Sequence, residues 1–150
     1  MYNYKYPRPS VTADICLFSP DRTQLLLIRR AHEPFAGCWA FPGGFFDLDD
    51  DDIAHTAQRE LLEETGLSNI PLEELCTASR KDRDPRGRTI SVVFGGMADP
   101  NQAQPFGGDD ASEARWWPLS ALPNLAFDHE EILAKVCNKM NVPAFSFSRT

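Results

Sequence analysis

Three glutamates crowd the end of one predicted helix: in "RELLEETGL", residues 59–67, Glu60, Glu63 and Glu64 fall just before Gly66. A helix C-terminus carries partial negative charge, so each carboxylate in the last turn costs a few tenths to about 1 kcal/mol. Glu60 also stands i,i+3 and i,i+4 from the other two, a like-charge relation that costs roughly 0.2–0.5 kcal/mol per pair. Accepting both costs points to a cation held at this place. At a rotation of ~100° per residue, Ile53, Ala54, Ala57 and Leu61 form an apolar stripe, and the three glutamates occupy an adjoining arc that overlaps it. The acids therefore sit at the edge of the core, where carboxylates need a partner or a metal. Arg59 is the helix's one strongly basic residue. Oxygen-only ligands suit Mg²⁺ or Mn²⁺, which keep some waters and share coordination with substrate phosphates. The alternative is a solvated acidic helix end; three acids on one arc, close behind a Pro-Gly-Gly turn, favour the cation.

Arginines supply the opposite charge. In "SRKDRDPRGR", residues 79–88, five of ten positions are basic. A solvated hairpin turn built on Asp-Pro and Gly87 accounts for the shape, and Arg83 or Arg86 could in addition clamp a phosphate or carboxylate, which guanidinium binds in bidentate fashion. Arg29 and Arg30 end a predicted strand, and alternation of side chains lets at most one of them face a substrate.

These residues must be positioned by a mixture of strands and helices. "SVTADICLFS" (10–19) and "QLLLIRR" (24–30), joined by the turn-like "PDRT", read as a hairpin. "CWAFPGGF" (38–45) is a short aromatic segment that must turn sharply at Pro-Gly-Gly. Asp52 is a fair N-cap for a helix running to about Thr65, with Gly66 as its stop. Further strands are expected over 72–80, 88–98 and 113–119, and a final helix over roughly 128–139. Together they predict an α/β or α+β fold, helices packed on a mixed sheet, whose topology the order of elements does not fix.

The whole chain, residues 1–150, reads as one domain: 150 residues with 42% hydrophobic and 25% charged content suffice for a real core. A formal net charge of −7 and a pI near 4.9, without a basic stripe, argue against a nucleic-acid or membrane-surface partner. An anionic substrate must then be met locally. "MYNYKYPRPS" lacks the apolar core of a signal peptide and no run of apolar residues is long enough to span a membrane, so a cytoplasmic location is expected. Cys16, Cys38, Cys76 and Cys137 are scattered without a CxxC pair and read as free thiols. His32, His55 and His129 do not cluster and read as structural or exposed. The aromatics Tyr2, Tyr4 and Tyr6, and Trp116 beside Trp117, suit strand packing or a dimer surface more than a nucleobase platform, and Trp39 suits the core.

The segment "GGFFDLDDDDIAHTAQRELLEETGL", residues 43–67, resembles the signature of the Nudix hydrolases, G-x5-E-x7-R-E-U-x-E-E-x-G-U with U a bulky aliphatic residue. From Arg59 to Leu67 the match is complete. In the first half the loop is one residue longer and aspartate replaces the first glutamate. Counting back eight from Arg59 gives Asp51, and counting forward six from Gly44 gives Asp50; because Ile53 falls where the family has its first buried aliphatic, Asp51 is expected to be the equivalent acid. "LLLIRRAHEPFAGCWAFPGGF", "RDPRGRTISVVF", "GGDDASEARWWPL" and "LAFDHEEIL" extend the likeness to the branch containing ADP-ribose pyrophosphatase-like enzymes and the Nudix sensors of bacterial nicotinamide regulators.

The resemblance implies an α/β/α sandwich around a mixed sheet, with a loop–helix–loop holding divalent metal, Mg²⁺ or Mn²⁺, beneath a diphosphate. Carried over by position, Glu60 and Glu64 would be the principal metal ligands, Glu63 would assist, the carbonyl of Gly43 would add an oxygen, and Arg59 would orient Glu60. A late-loop acid often serves as general base, which points to Asp109, Asp110 or Glu113, with Asp110 preferred. The implied partner is a small nucleoside diphosphate derivative, with ADP-ribose or a related NAD metabolite leading. The resemblance also admits a homodimer, through the N-terminal strand. Two other functions share the metal site: a sensing module that binds such a ligand without cleaving it, and a hydrolase clearing unwanted nucleoside triphosphates. Intact box glutamates, and no basic recognition helix after the last predicted helix, favour the enzyme over the sensor; "RDPRG" tilts away from the triphosphate hydrolase.

Overall fold

Asp52 and Gly66 bracket the acidic helix as their residue types imply. The computed structural model describes residues 3–101 and 111–148, and in it helix α1 runs Ile53–Thr65. Asp52 Oδ1 accepts the His55 N–H at 2.8 Å, satisfying one of the free donors of the first turn. Gly66 takes a left-handed conformation, φ 79°, and returns its N–H to the Leu62 carbonyl, a stop that glycine makes without a Cβ penalty.

The sheet is mixed. Strands β1 (Ser10–Phe18) and β6 (Thr89–Met97) run parallel along their whole length, and β5 (Leu72–Ala78) joins the far side of β6 antiparallel. Strand β2 (Gln24–Arg30) pairs antiparallel with β7 (Ala111–Pro118). The hairpin expected between β1 and β2 forms only at its base: the one paired position is Phe18 with Leu25, after which the strands part. The segment read as a single aromatic stretch fills the fork. Its first half, β3 (Trp39–Ala40), pairs with β2, and its second half, β4 (Gly43–Phe45), pairs with β1. Pro42 lies at the crossing, where it has no N–H to leave unpaired and its carbonyl accepts from Ile15 N at 2.8 Å. This places Gly43 and Gly44 at the mouth of the fork.

Alternation along β1 sorts the two layers. Ala13, Ile15 and Leu17 pack with Ala57 and Leu61 of α1. Cys16 and Phe18 face the other way and pack with Ile132, Leu133 and Val136 of helix α2 (His129–Lys139). The result is the expected sandwich, one mixed sheet between α1 and α2. Leu61 is completely buried, which stabilises the α1 docking by about 1.5–3 kcal/mol. The tryptophans pack as expected. Trp39 meets Trp117 edge-on at 5.0 Å, and Trp116 lies against the α1 side. Tyr4 and Tyr6 are exposed; Tyr2 lies outside the described residues. All four cysteines are free thiols, and burial pushes Cys137 up to about 11 and Cys16 well above its ordinary value. Among the described residues no helix is long and apolar enough to cross a membrane.

Candidate active site

The fork between β1 and β2 opens into a cavity of about 390 Å³. Two of the three box glutamates line it, Glu60 and Glu64. Glu64 is buried and its Oε1 accepts the Gly43 N–H at 2.8 Å, tying the end of α1 to the start of β4. The Glu60 carboxylate lies against the α carbon of Gly44, and any Cβ there would run into it. Glycine at 44 is thus what lets a carboxylate and a strand share this space.

Glu63 sits outside the cavity, half-exposed, paired with Arg59 Nη1 at 3.2 Å. Arg59 is the hub. Its Nη1 donates to Glu60 Oε1 at 2.8 Å, its Nη2 to the Phe45 carbonyl at 3.0 Å, and its Nε and Nη2 grip Asp50 at 2.7 and 2.8 Å. Asp50 accepts two further bonds, from the N–H of Asp47 and the hydroxyl of Thr56. The Arg59 hydrogen bonds, more than offsetting burial, hold the Asp50 carboxyl well below the usual range, and those bonds raise Arg59 further above its already high value.

This corrects the expected register. Asp51 is not the equivalent of the family's first box acid: its side chain is 94% exposed and its nearest cation-capable group is His55, at 3.8 Å. The extra residue lies between the acid and the helix, because Asp52 is taken up as the N-cap and Thr56, one turn inside α1, faces Asp50. A count forward from Gly44 finds the right carboxylate; a count back from Arg59 passes through the insertion.

The arginines divide. Arg30 lines the cavity, with Nε on the Pro34 carbonyl and its guanidinium 4.9 Å from the Phe127 ring centre. Arg29 does not: alternation turns it to the solvent side, where Nε donates to the Gly37 carbonyl. Arg86 is held by Asp84 through Nε and Nη2 and lies over the rings of Phe45 and Phe127 at 4.9 and 5.4 Å. Burial of Asp84 opposes its ionisation, and the Arg86 bonds win, keeping its carboxyl below its ordinary value. The sequence places Arg83 on a solvated turn or as a clamp for phosphate or carboxylate. It is instead buried at the cavity floor, its fork closed on both Asp128 oxygens at 2.9 Å and its Nη1 on Ser91 Oγ at 2.8 Å.

Asp109 and Asp110 lie outside the described residues. Glu113 is exposed on β7, opposite Arg29 and away from the cavity. His129, read as structural or exposed, is buried in the cavity wall: it stacks on Phe41 at 4.4 Å and its Nδ1 accepts the Phe41 N–H. Its proton is therefore on Nε2, and burial lowers its pKa. Sequence reasoning also missed Asp14. The available signal was a charge at an inward position of β1, in phase with Thr12, Cys16 and Phe18.

The donor set suits a divalent cation. It offers hard oxygens only, in Glu60, Glu64 and the Gly43 carbonyl, around a cradle that a Cβ at position 44 would fill. Among the described residues no three Asp, Glu, His or Cys side chains are arranged to grip an ion alone. Backbone, water and phosphate oxygens would complete the shell, as suits Mg²⁺ or Mn²⁺. The residues fit that group.

A mixed sheet between two helices, with an arginine-braced acidic helix opposite a glycine pair, defines a Nudix-type fold. The NUDIX domain profile matches residues 8–136, and the chain belongs to the Nudix hydrolase family. It is 41% identical over 128 residues to the ADP-ribose pyrophosphatase of Methanocaldococcus jannaschii, covering 85% of this chain and 73% of that protein. It is 37% identical over 145 residues to the ADPR responsive transcriptional repressor NtrR of Acinetobacter baylyi, covering 91% of this chain but only 56% of the repressor. Among solved structures, the NUDIX domain of Shewanella oneidensis NrtR complexed with ADP ribose superposes with a TM-score of 0.78 at 29% identity, over 93% of this chain and 94% of that one. Since one relative is a transcriptional repressor, an acidic composition does not separate this chain from proteins that act on DNA.

Proposed function

We propose that this chain is a metal-dependent diphosphatase that cleaves the P–O–P linkage of a nucleoside diphosphate derivative, with ADP-ribose the leading substrate. The observation that carries the reading is the placement of Glu60 and Glu64 in one cavity with Arg30 and Arg86. Acids to hold a cation and guanidiniums to hold phosphate oxygens line a single space in an otherwise acidic protein. The M. jannaschii relative supports the substrate class.

Glu60 and Glu64 would hold Mg²⁺ or Mn²⁺, with the Gly43 carbonyl; Glu63 serves by steadying Arg59. When bound, the cation supplies charge neutralisation at the phosphate oxygens and acidifies a coordinated water. Arg59 keeps Glu60 oriented and ionised, and Asp50 keeps Arg59 in place. Arg86, braced by Asp84, and Arg30 would bind the diphosphate or the carbohydrate phosphate. Arg83 serves the substrate through the floor it builds. Asp110 is retained as the proposed general base.

A second reading, a ligand-sensing domain, is favoured by the likeness to the ADPR responsive repressor. Release of phosphate-bearing products from ADP-ribose, NAD, NADH, dinucleoside polyphosphates and nucleoside triphosphates, with Mg²⁺ or Mn²⁺ and with chelator, decides between them. Metal-dependent cleavage of one diphosphate class supports the enzyme. Thermal stabilisation by ADP-ribose without turnover supports the sensor.

A further inference from the structure

Strand β1 carries a single charged residue, Asp14, at its middle. It is only 8% exposed, lines the cavity, and no donor among the described residues bonds its carboxylate. A carboxylate that faces a cavity and is bonded by no protein donor is left to accept hydrogen bonds from whatever enters that cavity. The neighbours that share its side of β1 do not relieve it. Thr12 and Ser91 bond each other, and Arg83 spends its donors on Ser91 and Asp128.

Asp14 is also not part of the acidic set on α1. Gly43 pairs with Asp14 in the β1–β4 register, and a Cβ at 43 would meet the Asp14 carboxylate, whereas a Cβ at the next residue, 44, would meet Glu60. Successive strand positions point to opposite faces, so Asp14 works from the α2 side and Glu60 from the α1 side. What reaches Asp14 must come through the cavity and must donate hydrogen bonds. A phosphate oxygen cannot.

We propose that Asp14 is a specificity-determining residue: it accepts hydrogen bonds from the neutral donors of the nucleotide's organic part, a sugar hydroxyl pair or the exocyclic amino group of a base. The choice of a nucleotide rests on the diphosphatase reading. The Gly43 and Gly44 positions then act as a partition, with carbohydrate or base recognised on one face and the diphosphate on the other.

The test is calorimetric binding of ADP-ribose, ADP and IDP-ribose, with chelator present, to the unmodified chain, Asp14→Asn and Asp14→Ala. The unmodified chain should prefer ADP-ribose over one of the other two by about tenfold or more. Both variants should bring that ratio close to one. A ratio lost against ADP assigns the sugar hydroxyls; a ratio lost against IDP-ribose assigns the amino group. Without ligand, Asp14→Asn should melt at or above the unmodified temperature, because it removes an unpartnered charge; a clear fall would mark Asp14 as structural and overturn the proposal. Ratios unmoved in both variants, while ADP-ribose is still hydrolysed with Mg²⁺, would overturn it alone. Binding of none of the three probes, together with no hydrolysis of ADP-ribose when Mg²⁺ is supplied, would overturn it along with the diphosphatase reading.

Discussion

Arg59 and Asp50 form a two-pronged ion pair, with Nε on Oδ1 at 2.7 Å and Nη2 on Oδ2 at 2.8 Å, and the free edge of the same guanidinium reaches Glu60. The acid that braces Arg59 is thus supplied by the loop before the helix. Asp50→Asn should leave the partly exposed Arg59 guanidinium facing a neutral partner and cost about 1–3 kcal/mol, together with a roughly tenfold to hundredfold drop in kcat as Glu60 loses its brace. Asp51→Asn should change stability by no more than about 0.5 kcal/mol. Equal effects of the two substitutions in thermal melts and kinetics would return the box register to Asp51.

The same pair sets an acid limit. The folded Asp50 pKa lies below its unfolded value of about 3.9, so its contribution is complete above about pH 4 and is lost as pH falls through the folded value. Stability measured from pH 5 downward should fall less steeply in Asp50→Asn than in the unmodified chain. Parallel curves would show that Asp50 is not the carboxylate being protonated.

Glu60→Gln keeps the shape of the side chain and removes its charge. It should cut turnover by about a hundredfold or more and leave the melting temperature within a few degrees, and chelator should abolish the activity of the unmodified chain reversibly. Gly44→Ala should produce a similar loss from the other direction, since its methyl would occupy the space of the Glu60 carboxylate. Full activity in Gly44→Ala would show that the carboxylate can work from another position.

Arg83→Ala should act on the fold before it acts on the substrate. The side chain is 3% exposed and its partner Asp128 6%, so deletion strands a buried carboxylate at the start of α2 and should cost about 3–5 kcal/mol. Arg86→Ala, at a half-exposed guanidinium over Phe45 and Phe127, should instead raise KM with little change in melting. The opposite pattern would make Arg83 the clamp and Arg86 the structural residue.

This contrast shows where the sequence is legible. Helix α1 was readable to the residue because its cap, its stop and its acids are all local signals, and β2 because its apolar run is bounded by a turn and by Arg29 and Arg30. The fork was not readable. A β1–β2 hairpin is the local expectation, and only the long-range parallel pairing of β1 with β6, together with β4, pulls the strands apart. Arg83 and Asp50 were misplaced for a related reason: both are defined by partners, Asp128 and Arg59, whose distance in space does not follow from counting along the chain.

His129 sets the direction of a second pH dependence. Its ring is buried against Phe41, and burial lowers its pKa despite the nearby carboxylates of Asp14 and Asp128, with Arg83 and Arg30 adding to the depression. The unfolded chain takes up the proton near the ordinary value of about 6.5 while the folded chain resists it. Stability should therefore be at its full value above about pH 6.5 and decline as pH falls toward the lower folded pKa. His129→Gln offers a neutral acceptor to the Phe41 N–H and cannot be protonated, so its melting temperature should be flatter between pH 7 and 5. If the unmodified chain gained stability over that interval, His129 would have to be charged in the folded state, with its Nδ1 no longer able to accept from Phe41.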